Sequence, residues 1–424
     1  MTRPDADVLI AGGGLAAQRC CETLRRQGFG GRIVVLCEEP TAPYDRPPLS
    51  KAVLSDERER RTPTLKPAEW YAEHGVELLL GVAARELDPA RRLLTLRERR
   101  GTGAAGRLRY RELVIATGSR PRRLPGLELG GVAHELRTHA DALALRAALR
   151  ERDGRLAVLG AGLVGMEVAA AARGLGREVT LIEAAATPLA RALPPALGYW
   201  IARLHREHGV EVRLASSVER VSLRGSTARL ELSDGSTVDA DTVLVAAGTA
   251  PATEWLATSG LGPGAIPTDA AGRTAHPGVY AAGDAARFPD PYLGERVPSQ
   301  HWEAAVRQGT AVARAIVGLA PAEPVPPMFW SDQHGHRIQL VGHAPPDCEI
   351  ELDGNPTAGS GQFAAWITRA GRPIGALLVD RPDALQHARQ WIAAAHAGHT
   401  AQPTTANHRN TPAGPGPSDT RRAA

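Results

Sequence analysis

Twice along this chain an apolar run leads straight into a glycine-rich turn, a helix-forming stretch, a second apolar run and an acidic residue. In the first copy Asp7-Val8-Leu9-Ile10-Ala11 reads as a buried parallel strand, and Gly12-Gly13-Gly14-Leu15-Ala16-Ala17 follows at once. A helix is expected from there to about Gln27, then a strand over Ile33-Val34-Val35-Leu36 that ends at Glu38-Glu39. In the second copy Leu156-Ala157-Val158-Leu159 is the strand and Gly160-Ala161-Gly162-Leu163-Val164-Gly165 the turn; the next strand ends in Glu183. The first glycine of such a turn permits a tight bend, the second lets backbone approach a pyrophosphate, and the third position (Ala17, Gly165) packs helix on strand. The helix N-terminus then faces phosphates, and the acid accepts from a ribose diol. The chain therefore reads as an α/β protein with two Rossmann-like units of one plan, each holding a dinucleotide.

The echo continues downstream. Val76–Leu80 matches Val210–Leu214, a hairpin over Leu93–Tyr110 has a counterpart after Leu214, and Leu113–Gly118 matches Val243–Gly248. Thr274–Asp284 reads as a strand ending in Gly283-Asp284, which sets a carboxylate beside a close backbone approach and suits a polyol chain. A helix is expected over Ala304–Val317, a proline-rich linker over Pro321–Pro327, and then a small sheet (Ile338–Leu340, Phe363–Trp366, Ile374–Val379) with a helix over Pro382–Ala395. From about Gly398 to Ala424 no periodicity remains, and a disordered tail is expected.

Between the first unit's second strand and the next element lies Tyr44-Asp45-Arg46-Pro47-Pro48-Leu49-Ser50-Lys51. Lys51 is one of only two lysines, the other being Lys66. The prolines stiffen the segment, Arg46 reads as a flexible cation on it, and Lys51 comes where a helix can begin. Such a segment can hold a point charge against a bound ring.

Composition narrows the class. A net charge of +4 over 424 residues argues against a nucleic-acid binder, and no apolar run reaches membrane-span length. Met1–Asp5 does not read as a signal peptide, so a cytoplasmic protein is expected. Cys20, Cys21, Cys37 and Cys348 form neither a Cys-x-x-Cys motif nor a zinc spacing; they read as buried free thiols, and no metal is expected. Glu183 favours NADH, since a carboxylate repels a 2′-phosphate and Ala184-Ala185-Ala186 offers it no arginine. Arg191 fits two readings, a contact to the nucleotide's pyrophosphate or adenosine, or a surface arginine.

The order of first fingerprint, Tyr-Asp-Arg-Pro-Pro-Leu-Ser-Lys, Ala116-Thr117-Gly118, second fingerprint followed by Met166-Glu167, Ala281-Ala282-Gly283-Asp284 and Phe329-Trp330-Ser331-Asp332-Gln333 resembles the FAD-dependent pyridine nucleotide oxidoreductases. More narrowly it is similar to the NADH-dependent ferredoxin reductases of oxygenase systems, over residues from about 6 to 395. The resemblance implies a discontinuous FAD domain (1–118 and 249–322), an inserted NAD domain (119–248), a C-terminal domain (323–397) covering the flavin, and a tail (398–424). It implies that Gly12, Gly14 and Ala16 face the FAD pyrophosphate, Glu38 the adenosine ribose and Ala84 the adenine. Arg137 would contact FAD, Asp284 the ribityl chain and the Trp302 backbone the flavin pyrimidine edge. Lys51 would sit near flavin N5 with Glu167 as ion-pair partner, on the first turn of the helix facing the nicotinamide; a purely structural ion pair is the other reading. Gly160, Gly162, Gly165, Glu183, Arg191 and Gly248 would serve NADH. Trp330 fits either an electron exit at the flavin edge or an aromatic filling a domain interface.

The activity so implied passes electrons from NADH through FAD, one at a time, to a 2Fe–2S ferredoxin serving a haem monooxygenase or ring-hydroxylating dioxygenase, by a monomer or weak homodimer. Arginines near Trp330 would help dock an acidic ferredoxin. Reduction of rubredoxin or another small acceptor shares every motif, and a redox-sensing NADH-binding flavoprotein is a further reading from a different class. A disulfide reductase or thiol peroxidase on the same scaffold needs a redox cysteine after the first fingerprint, and none occurs between Cys37 and Cys348.

Overall fold

The computed structural model describes residues 4–398 apart from 57, 60, 99–103, 125–129, 152–153, 299 and 358–360. The tail expected from about Gly398 lies, past Gly398 itself, outside the described residues. Both fingerprint strands are buried at nearly every position, Ala6–Ala11 and Arg155–Leu159, as befits parallel strands covered on both faces. Ala6–Ala11 pairs in parallel with Ile33–Cys37 on one side (Leu9 opposite Val34) and with Ala104–Ile115 on the other (Leu9 opposite Leu113). Val76–Leu80 extends the sheet beyond Ile33–Cys37. Val279–Ala281 returns from much later in the chain and closes the far side against Leu113–Ile115.

The second sheet repeats the plan. Arg155–Leu159 lies between Glu178–Ile182 and Thr242–Val245, Val210–Arg213 lies outside the former, and the short strand Ala133–His134 closes the far side. The fifth strand comes from after the unit in one sheet and from before it in the other. An antiparallel ribbon of Ser119–Pro121 with Thr249–Pro251 joins the two where the chain leaves the first unit and returns to it. In each sheet the fingerprint strand is the one at which strand order reverses. Ligands of open α/β sheets bind in the crevice outside the carboxyl ends of strands at this point.

The second arm of the hairpin expected over Leu93–Tyr110 and the buried run from Leu113 are continuous in a single strand, Ala104–Ile115. Its first half pairs antiparallel with Leu93–Glu98 and its second half in parallel with Ala6–Ala11. An additional strand, Val82–Asp88, completes that antiparallel layer. Among the described residues no helix is long and apolar enough to cross a membrane.

The C-terminal sheet has five antiparallel strands, including Met328–Gln333 and Glu349–Gly354, which the sequence pattern did not announce as strands. Its two faces have different partners. Val341, Ala364, Trp366, Ala376 and Leu378 pack on the helix Leu385–His396 through Ala388, Trp391 and Ile392. Phe329, Ile338, Leu340, Phe363 and Leu377 join a core shared with Leu49, Val53 and Leu54 of the first unit and Met166, Leu197 and Ile201 of the second. One apolar cluster therefore fixes all three units around the proline segment.

Candidate functional site

Gly12 sits at the end of its strand with φ +117°, and a Cβ there would lie 2.1 Å from the carbonyl oxygen of Ala116. Gly14 caps the helix Leu15–Arg26, and a Cβ there would meet nothing within 4 Å. The first glycine is thus required by the protein itself, whereas the second leaves room beside a helix N-terminus. The second fingerprint behaves alike: Gly160 (φ +111°) is wedged against Ala246, Gly162 is open, and a Cβ on Gly165 would lie 2.1 Å from the Gly160 oxygen. Gly309 of the helix Trp302–Ile316 packs so closely that a Cβ would come 2.3 Å from the oxygen of Ala16.

A cavity of ≈ 730 Å³ opens at the first crevice. Its wall contains Gly12, Gly14, Ala16, Glu38, Lys51, Ala84, Arg137, Glu167, Asp284, Trp302 and Trp330. Residues as far apart in sequence as Gly12 and Trp330 thus face one space. Asp284 accepts from Ser119 Oγ (2.6 Å) and Arg137 Nη2 (3.1 Å), both on Oδ2, so its other oxygen remains for a hydroxyl chain. Glu38 is exposed at its strand end, 3.4 Å from Arg97. Trp302 is the first residue of its helix, where backbone N–H groups lack intrahelical acceptors. Its Nε1 donates to Asp45 Oδ1 at 2.8 Å, and its ring meets Trp330 edge-on at 5.9 Å. Burial pushes the Asp45 carboxyl up, and the Trp302 N–H opposes that shift.

The proline segment forms one 3₁₀ turn, Pro47–Ser50, and Lys51 caps the short helix Ala52–Ser55. Lys51 Nζ lies 2.7 Å from Glu167 Oε2 and donates to the Pro47 carbonyl at 3.3 Å. Glu167 stands fifth in the helix Leu163–Gly174, so it lies just past the first turn, close to its expected place. It also accepts from Ser50 Oγ on Oε2 (2.5 Å) and from Ser331 Oγ on Oε1 (2.6 Å). Neither serine was singled out by sequence. Arg46 is no flexible cation: it pairs with Glu39 at 2.9 Å, donates to the Arg137 carbonyl and lies 5.1 Å over the Tyr44 ring. Tyr44 OH in turn donates to Glu39 and accepts the His139 N–H.

The residues expected to serve NADH lie outside that cavity wall. Glu183 accepts the Ala161 N–H at 2.6 Å, inside the second fingerprint, and the Ala185 N–H at 2.8 Å. Its carboxylate is thereby fixed beside the glycine turn. The Leu189 N–H bonds the Ala161 carbonyl, which brings the loop carrying exposed Arg191 against the same turn. Gly248 (φ +88°) has open space around it at the start of the joining ribbon.

A sequence profile of the pyridine nucleotide-disulphide oxidoreductases matches residues 6–309. The chain belongs to this family. A second profile, that of the reductase C-terminal domain, matches residues 328–408. This oxidoreductase is 37% identical over 378 residues to the benzene 1,2-dioxygenase system ferredoxin–NAD(+) reductase subunit of Pseudomonas putida, covering 88% of this chain and 89% of that one. It is 33% identical to rhodocoxin reductase of Rhodococcus erythropolis over 91% and 89% of the two chains. Among solved structures, that of the covalent putidaredoxin reductase–putidaredoxin complex superposes with a TM-score of 0.84 at 29% identity, covering 92% of this chain and 93% of its counterpart.

The family is named for a disulfide, but all four cysteines here are free thiols. Cys37, which borders the cavity, is 2% exposed and its thiol is pushed up to about 12 by burial. Cys20 is pushed up to about 12 and Cys21 also upward, again by burial. Such thiols stay protonated and inert at neutral pH.

Burial acts in the opposite sense on histidine. His301, stacked on Phe329 at 4.7 Å, and His205 are each held down to about 4, and His334 to about 3. The unfolded chain binds protons that these folded histidines refuse. Stability is therefore complete above the unfolded value of 6.5 and is lost as pH falls from there toward 4, on the order of 3 kcal/mol for a fully buried histidine. Thermal melts should show Tm falling across that window. A Tm independent of pH there would contradict the buried, neutral assignment.

Proposed function

We propose that this oxidoreductase binds FAD at the first crevice and NADH at the second, and reduces a 2Fe–2S ferredoxin that serves an oxygenase. The observation that carries the reading is the cavity wall itself. It combines an open fingerprint glycine, a lysine–glutamate pair and an edge-on tryptophan pair, and the cysteine that borders it is inert. The dioxygenase-system relative, similar over nearly its full length, supports the choice of acceptor.

When bound, the flavin supplies the chemistry that neither chain nor nicotinamide has: it takes an electron pair and releases single electrons. The chain's own work is binding and alignment. Gly12, Gly14 and the helix N-terminus beyond them cradle the pyrophosphate, Glu38 takes the adenosine ribose and Ala84 borders the adenine. Arg137 and Asp284 would hold the ribityl chain, and the Trp302 backbone N–H, at a helix N-terminus, would serve the pyrimidine edge. Lys51, held by Glu167, places a positive charge at the ring. Gly160, Gly162 and Gly165 form the second cradle, while Glu183 takes the nicotinamide nucleotide's ribose and disfavours a 2′-phosphate. Trp330 and Trp302 mark where electrons leave, toward an acidic partner whose docking weakens with salt.

Anaerobic titration should bleach the flavin with one NADH per FAD. A second equivalent, with two thiols appearing, would point to a redox disulfide. The test of the acceptor is NADH-driven cytochrome c reduction with and without added 2Fe–2S ferredoxin. Fast reduction only when ferredoxin is present supports the reading; equal rates in both arms overturn it.

A further inference from the structure

Ser331 and Gln333 share the inward face of the strand Met328–Gln333 and are 0% and 1% exposed. Two polar side chains so deeply buried need partners. Theirs form a single line. Ser331 Oγ lies 2.6 Å from Glu167 Oε1, Gln333 Nε2 2.9 Å from Ser331 Oγ, His205 Nε2 2.9 Å from Gln333 Oε1, and His334 Nε2 3.1 Å from His205 Nδ1. The line runs from the second unit into the C-terminal sheet, back to the second unit at the helix Pro195–Glu207, and out to the hairpin turn at His334. None of these four residues borders the cavity.

With the Ser331–Glu167 bond in place, valence fixes the direction of each other bond in the line. A carboxylate only accepts, so Ser331 gives Glu167 its one proton and must accept from Gln333 Nε2–H. The Gln333 carbonyl then faces His205, whose Nε2 must carry a proton. Burial keeps His205 neutral, so its Nδ1 is bare and accepts from His334. Every donor points toward Glu167. The one other self-consistent arrangement turns the amide over, exchanges both imidazole tautomers and swings the Ser331 hydroxyl away from Glu167.

We propose that His205 and Gln333 are positioning residues for the Lys51–Glu167 pair. By locking the Ser331 hydroxyl onto Oε1, they leave Oε2 to Ser50 and Lys51 and so fix the ammonium at the cavity wall. The role rests on the proposed flavin site, but the four residues that carry it lie outside the cavity wall.

The first measurement is a nitrogen-15 spectrum of the histidine side chains in the wild-type flavin-loaded protein. His205 should be the neutral Nε2–H tautomer; the Nδ1–H tautomer overturns the proposal. This arm does not depend on any variant folding. The second compares His205→Leu, which removes the donor, with His205→Gln, which keeps an N–H, in stopped-flow reduction by NADH without any acceptor. His205→Leu should slow reduction at saturating NADH about tenfold with unchanged NADH affinity, the effect of releasing the Ser331 hydroxyl from the charged Glu167, and His205→Gln should stay within about twofold of wild type. A wild-type rate in His205→Leu, or equal losses in both variants, overturns it. No ferredoxin enters these measurements, so failure of the ferredoxin reading would show separately, as absent coupling with the tautomer intact.

Discussion

Gly12→Ala is expected to give a protein that retains no flavin. The added Cβ would lie 2.1 Å from a backbone oxygen and 2.5 Å from a backbone carbon of Ala116, with φ at +117°. No side chain can yield there; two strands of the central sheet must separate, at a cost on the order of 3 kcal/mol. The crevice that those strand ends define is lost with them. Gly14→Ala separates ligand from fold. Its backbone (φ −97°) is ordinary for an L-residue, and the new methyl meets no protein atom within 4 Å. The apo protein should melt as wild type does, while FAD binds at least about tenfold more weakly, because the methyl occupies space beside phosphate-binding N–H groups. Fluorescence titration of the apo proteins reads both. Wild-type FAD affinity in Gly14→Ala would remove the fingerprint from the cofactor site.

Lys51→Met is the second large effect. Glu167 is 6% exposed and would keep only the hydroxyls of Ser50 and Ser331 as donors. A buried carboxylate stripped of its cation is costly, and the positive charge at the cavity wall disappears. Flavin reduction by NADH in a single turnover should slow by about ten- to a hundredfold, equivalent to about 1.4 to 3 kcal/mol of lost electrostatic stabilisation. An unchanged rate would leave the pair a structural ion pair and nothing more.

The features legible in sequence were those with a local signature. Glycines at fixed spacing after an apolar strand announced both crevices, and the echo from Val76 to Val210 announced the duplication. The run Leu113–Gly118 was visible, but its continuity with the antiparallel layer was not, because the switch of partners inside Ala104–Ile115 leaves no mark on the pattern. Arg46 looked free because Glu39 and the Arg137 carbonyl reach it only in the folded chain. The serines on Glu167 come from 117 residues before and 164 after it. One signal was available: along Phe329, Ser331 and Gln333 a polar pair occupies alternate positions on the face that begins with a core phenylalanine. Buried polar residues in such a register require partners elsewhere, and here they lead to the pair that matters most.

The account stands most directly on one measurement, anaerobic double-mixing in which the protein, first reduced by NADH, meets an oxidised 2Fe–2S ferredoxin. Flavin reoxidation should proceed in two one-electron phases matched by ferredoxin reduction, faster at low ionic strength than at high, and should persist after thiol alkylation of the native protein. Reduced flavin that stays reduced in the presence of ferredoxin, or transfer abolished by alkylation, would contradict it.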